Sequence, residues 1–118
     1  MKKRIYASAA LAIALATGST FAQTQPAPSI DQGDGFYAIC QRAENLEACA
    51  MYLAGYSNGV LVQTLIDRQK PRYCLPQNLT RGDQLRVVLG YIKGHLDQIL
   101  EPTGAIVYKA LLANFPCR

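Results

Sequence analysis

Histidine is nearly absent, the Cys-x-x-Cys pair is missing altogether, and no block of charge of either sign occurs. Each gap removes a class of function. His95 is the single histidine, and no free nucleophile or metal-ligand set accompanies it, so hydrolytic and metal-assisted chemistry lack a constellation to work with. Its polar neighbours make it a surface or partly packed helix residue. The four cysteines stand apart from one another, which leaves thiol exchange without its usual spacing. The Asp31–Gly35 segment lacks the alternating oxygen ligands and distal glutamate of a calcium loop. No stretch sustains period-two alternation, so a half-buried sheet is not expected. No catalytic residue, metal or cofactor is expected.

Positive charge is concentrated where it does not belong to the fold. Lys2, Lys3 and Arg4 precede an apolar run from Ile5 to Ala16, followed by Ser19-Thr20-Phe21-Ala22. A basic start, a short apolar run and small residues before a cut make a secretory signal peptide over residues 1–22, since that run is too short to span a bilayer. Removing it leaves nine basic residues against all eight acidic ones. A chain so nearly neutral lacks the electrostatic footprint of a nucleic-acid binder, and no other stretch is apolar enough to span a membrane once the signal is cleaved. Export together with four cysteines points to an oxidising compartment, the bacterial periplasm, and to two disulfides.

Residues 23–30, polar and proline-bearing, are expected as a disordered lead-in, and residues 31–118 as one small helical domain. Asp31 or Asp34 is positioned to cap a first helix running to about Arg42. Asn45 is the expected cap of a long second helix, which has no proline from Cys49 to Arg68 and apolar residues at Cys49, Leu53, Tyr56 and Val60. Gly55 and Gly59 inside it cost roughly 1 kcal/mol each, which predicts a neighbouring helix packed close. Thr80-Arg81-Gly82-Asp83 reads as a capping box. A third amphipathic helix follows, with Leu85, Val88, Leu89, Ile92, Leu96, Ile99 and Leu100 on its apolar face. Pro102 suits the first turn of a last helix, whose stripe is Ile106, Val107, Ala110, Leu111 and Phe115. The glycosylation-like Asn78-Leu79-Thr80 and the adhesion-like Arg81-Gly82-Asp83 both fall in the capping segment and take its structural explanation. The fold class is therefore all-α, a small disulfide-stabilised bundle of about four helices.

The long helix, at about 1.5 Å per residue, holds Cys49 and Cys74 roughly 30 Å apart and excludes a bond between them. Cys40 and Cys49 flank the turn of a helical hairpin, and the fourth helix returns Cys117 toward Cys74. Cys40–Cys49 with Cys74–Cys117 is the preferred pairing, each bridge contributing about 2–4 kcal/mol, the longer loop more.

The run Cys49-Ala-Met-Tyr-Leu-Ala-Gly-Tyr-Ser-Asn-Gly59, then Tyr73-Cys74-Leu75-Pro76, then the third helix through Gly94-His95, then Ala110 to Cys117 ending Phe-Pro-Cys resembles the Rap1a/Tai immunity-protein family. The resemblance covers most of the chain after the signal. It implies a disulfide-bonded periplasmic homodimer that is not an enzyme and that binds and occludes a peptidoglycan amidase effector delivered by type VI secretion. Such chains often carry proline after the histidine; Leu96 stands there instead, so the third helix is expected to run on. Tight occlusion needs an aromatic or arginine anchor, and Arg72, Tyr73 and Tyr91 are the partner-binding candidates. A small periplasmic stress chaperone, or another helical binding protein without a toxin partner, is the alternative reading of the same size, helicity and disulfides.

Overall fold

The computed structural model describes residues 18, 22 and 29–118. The signal segment, apart from Gly18 and Ala22, and most of the lead-in lie outside these described residues. Four α-helices follow in order: α1 Gly33–Cys40, α2 Leu46–Ile66, α3 Arg81–Gly94 and α4 Thr103–Asn114, with short 3-10 turns at Ala43–Asn45 and Leu96–Gln98. No strand occurs among the described residues, only two isolated antiparallel bridges, Gln32 with Pro102 and Tyr73 with Pro116. The chain is all-helical, and none of the described helices is long and apolar enough to cross a membrane.

The first helix is tied to the last. Gly33 donates its amide to the Glu101 carbonyl at 3.0 Å and Thr103 donates its own to the Asp31 carbonyl at 2.8 Å. Thr103, almost wholly buried, also donates its hydroxyl to the Ile30 carbonyl at 2.6 Å. Ile30, placed by its sequence in the lead-in, thus packs against the core. Gly33 is required here: a Cβ at this position would lie 2.6 Å from the Ile99 carbonyl oxygen and would also strike Ile106. Of the two aspartates expected to cap α1, Asp34 accepts from the next amide, Gly35, at 2.8 Å, whereas the Asp31 backbone amide is bound by Ser29 Oγ.

Asn45 does something other than cap α2. The 3-10 turn has already set its backbone to φ −104°, ψ −5°, so the side chain turns back and donates to the Ile39 carbonyl at 3.0 Å, closing α1 instead. At the far end of α2, Arg68 adopts φ 53°. Its amide reaches the Leu65 carbonyl and the Gln69 amide reaches the Thr64 carbonyl, at 3.2 and 3.0 Å. This double closure is a Schellman ending with arginine where glycine is usual. The expected Thr80 cap is present: its hydroxyl accepts from the Asp83 amide at 3.0 Å and donates to the Asp83 carboxylate at 2.6 Å. That hydroxyl first, and Arg86 second, hold the Asp83 carboxyl below its ordinary range.

One core joins the helices. Phe36 from α1, Leu53 from α2, Val88 and Ile92 from α3, and Ile106, Val107 and Leu111 from α4 are wholly or almost wholly buried. Cys40 is bonded to Cys49 and Cys74 to Cys117, with Cα separations of 5.8 and 4.9 Å. Neither bridge spans the long helix.

None of Asp31, Asp34 and Asn45 makes the side-chain cap expected of it, and three further expectations fail. α3 stops at Gly94 because His95 takes φ −135°, ψ 50°, and the chain continues as a 3-10 turn. Leu96 and Leu100 then leave the buried stripe and stand 55% and 69% exposed. Gly55 and Gly59 have no close neighbour either; a Cβ on either would meet nothing within 4 Å.

Two substitutions test this frame by thermal unfolding. Arg68→Gly relieves the left-handed backbone and raises stability by about 1 kcal/mol. Gly33→Ala forces α1 off α4 and lowers it by about 2 kcal/mol.

Candidate functional site

The site is built where α2 ends and the chain turns back. After Arg68 the segment from Pro71 to Leu75 runs extended past the C-terminal half of α2, and it is pinned from the other side by the end of α4. Cys74 donates its amide to the Phe115 carbonyl at 2.8 Å, Tyr73 pairs with Pro116, and the disulfide to Cys117 closes the tie. Between this strap and α2 lies a groove of about 390 Å³. Val60, Leu61, Leu75 and Tyr108 give it an apolar lining, and Arg72 is the one charged residue among those that line it.

Tyr73 forms the groove's inner wall. Its ring stands edge-on to Tyr108 with centroids 5.9 Å apart. Its hydroxyl is buried and no partner meets hydrogen-bond geometry there. Burial pushes the Tyr73 phenol above its ordinary range and the Tyr108 hydroxyl adds to the push; the nearby Ser57 hydroxyl pulls the other way. Ser57 is already engaged by Gln84, whose buried amide donates to it at 2.7 Å. Tyr56 belongs to the same cluster and is pushed up to about 12, by burial first and then by Tyr73, Tyr108 and Tyr52. Tyr56, Tyr73 and Tyr108 therefore meet behind the strap, with Tyr52 one turn before Tyr56 on α2 and packed on Phe36, and the sequence singled out only Tyr73 for function.

The three partner-binding candidates separate. Arg72 and Tyr73 share the groove, Arg72 exposed and Tyr73 buried. Tyr91 does not line it. On α3, half-buried, Tyr91 stacks on His95 with centroids 3.9 Å apart and planes 15° apart. His95 Nδ1 lies 2.8 Å from the Tyr91 carbonyl. A carbonyl only accepts, so this nitrogen carries the proton and its role is to close the end of α3. A second hollow of about 290 Å³, lined by Leu46, Glu47, Ala50, Gly82, Leu85, Arg86 and Leu89, carries one charge of each sign. Among the described residues no group of three or more His, Cys, Asp or Glu could hold a metal ion. Cys40, Cys49, Cys74 and Cys117 are all bonded, and no free cysteine occurs among the described residues. What the groove offers is shape, apolar area and one cation.

The model of the Rap1a immunity proteins matches residues 32–117. No curated protein and no solved structure matches the chain. The match spans all four helices and both disulfides, and the chain belongs to the Rap1a immunity protein family.

Two measurements probe the tyrosine cluster. Tyr73→Phe removes a buried hydroxyl that has no partner and raises stability by roughly 1 kcal/mol in denaturant unfolding. In alkaline titration, tyrosines of the unfolded chain ionise near the ordinary value of 10.0 while folded Tyr56 holds its proton to about 12. The unfolded state therefore loses protons first. The Tyr56 contribution to stability is level below pH 10 and is lost as pH rises from about 10 to 12, with tyrosinate absorbance lagging that of the denatured chain.

Proposed function

We propose that this member of the Rap1a immunity family is exported to the periplasm, where it binds and occludes a peptidoglycan amidase effector delivered by type VI secretion, without chemistry of its own. The family match over residues 32–117 carries the reading. Support from the structure is of a physical kind: a cross-linked helical frame presents an apolar groove with a cation on its rim. Occlusion needs such a surface to be rigid before binding, because ordering it on contact would subtract from affinity. The strap meets that need, being bonded to α4 through Cys74, Tyr73 and the amide of Cys74.

Within this reading Arg72 is the anchor at the groove's rim and Tyr73 the wall it rests against. The protein works as a homodimer, so that each copy presents one groove. Residues 1–22 act as the cleaved signal and residues 31–118 as the single working domain.

The test is inhibition of an exported amidase encoded beside this chain, followed by release of peptidoglycan fragments. The wild-type protein abolishes hydrolysis. Arg72→Ala weakens inhibition roughly tenfold or more, Tyr91→Ala leaves it unchanged, and a strain lacking the gene becomes sensitive to sister cells. An amidase unaffected by excess wild-type protein, or a deletion strain as resistant as its parent, rejects the proposal.

A further inference from the structure

One face of α2 is left unused by the bundle. Cys49, Ala50 and Leu53 turn inward and are buried. On the opposite side Ala48, Met51, Gly55, Gly59, Val62 and Ile66 recur at intervals of three and four residues, which places them on one stripe of the helix. Met51 is 48% exposed, Val62 53% and Ile66 69%. Between Glu47 and Asp67 the chain carries no charged residue. An amphipathic surface helix puts its charges on the outer face. Here the outer face is as apolar as the inner one, over about 27 Å of helix.

We propose that a second copy of the chain covers this stripe with its own, the two α2 helices packing antiparallel about a two-fold axis that crosses the stripe midway between Gly55 and Gly59. The inference rests on the homodimer reading and assigns its interface. Three features of the stripe select this occupant. Its pattern is self-complementary when reversed: Gly55 of one copy falls opposite Gly59 of the other, where two bare backbones approach closely, and small Ala48 falls opposite large Ile66. A parallel pairing would set Ile66 against Ile66 and leave a gap between the alanines. Charge points the same way. Arg68, Lys70 and Arg72 follow the end of α2, where Asp67 is held by Gln63 Nε2 at 2.9 Å, whereas at its start Glu44 and Glu47 stand beside Arg42, Arg86 and Arg81, the last against the Met51 sulfur at 2.7 Å. Parallel packing sets the two basic ends against each other, and antiparallel packing keeps them apart. Of the α2 residues that line the groove, Ser57, Val60, Leu61 and Thr64 lie on the other side of the helix and only Asn58 flanks the stripe, so the dimer leaves two grooves open to two amidase molecules.

The test uses the oxidised protein, expressed with its own leader and recovered from the periplasm. Sedimentation velocity over a range of concentrations is expected to give twice the chain mass. Val62→Glu and Ile66→Glu are each expected to raise the dimer dissociation constant at least a hundredfold, whereas Leu100→Glu, equally exposed but outside the stripe, leaves it unchanged. Spin labels on Gly59→Cys should lie close across the dimer, and those on Asp67→Cys roughly 30 Å apart. Short distances at both sites mean parallel packing and overturn the geometry. A dimer broken by Leu100→Glu but not by Val62→Glu overturns the interface while leaving the homodimer reading intact. A wild-type monomer that still blocks the amidase overturns interface and dimer together and leaves the immunity reading standing. Co-sedimentation of a wild-type monomer with phosphatidylglycerol vesicles, lost in Ile66→Glu, assigns the stripe to a lipid surface and overturns the proposal.

Discussion

The cross-link between Cys74 and Cys117 is the constraint on which the groove depends. It closes a span of 43 residues that contains α3, the 3-10 turn and α4, and it brings the end of the last helix against the strap that follows α2. Without that tie the segment from Pro71 to Leu75 would keep the Tyr73–Pro116 bridge, to which the Cys74 amide bond belongs, and the Tyr73–Tyr108 ring contact, and the groove would lose a covalently fixed wall. Loop-entropy reasoning gives a closure of this length about 4 kcal/mol, a large share of the stability available to a domain this small. Cys40–Cys49 plays a different part. Both of its sulfurs sit in the core, so that bridge contributes apolar packing as well as a covalent tie.

The architecture was legible because it rests on local signals. Helical spacing, the Thr80 cap and Pro102 each mark an element through interactions within a turn or two, and the α4 residues Ile106, Val107, Ala110 and Leu111 all went inward. What misled were positions whose environment is set at long range. Leu96 and Leu100 fit the α3 period, but the backbone leaves the helix at His95 and rotates them out. Gly55 and Gly59 were read as contacts to a neighbouring helix, yet no other part of the chain comes near them. Periodicity says which residues share a stripe; it does not say whether the chain supplies anything to cover it.

The site was half legible for a similar reason. Arg72 and Tyr73 were singled out as an arginine and an aromatic able to anchor a partner, and both line the groove. Tyr56 and Tyr108 joined them only through folding, since α2 and α4 are far apart in sequence. Thr103 could have been suspected as a residue with a partner, because it is a hydroxyl at a helix start, but its acceptor is the Ile30 carbonyl, which no local rule indicates. Tyr91, as prominent in sequence as Tyr73, is taken up by His95 instead.

Scarcity of charge along α2 connects these observations. A helix of 21 residues with one charged side chain gains little by facing water, and ordinary core packing uses only the stripe of Cys49, Ala50 and Leu53. The remaining surface divides into two zones: the flank toward the strap, where Val60 and Thr64 meet Tyr73 across the groove, and the stripe opposite. Val62, Leu65 and Ile66 are exposed and add nothing to the core, the kind of apolar surface that contacts outside a chain cover. Glycines at the middle of that same stripe weaken the helix by roughly 1 kcal/mol each, a cost that burial within the chain does not recover. Both costs fall on one side of α2, and the proposed approach of a second copy's helix would offset both. A small cross-linked bundle can in this way present a groove and an apolar stripe on one long helix, provided the inward stripe is narrow and the disulfides carry stability that a larger core would otherwise supply.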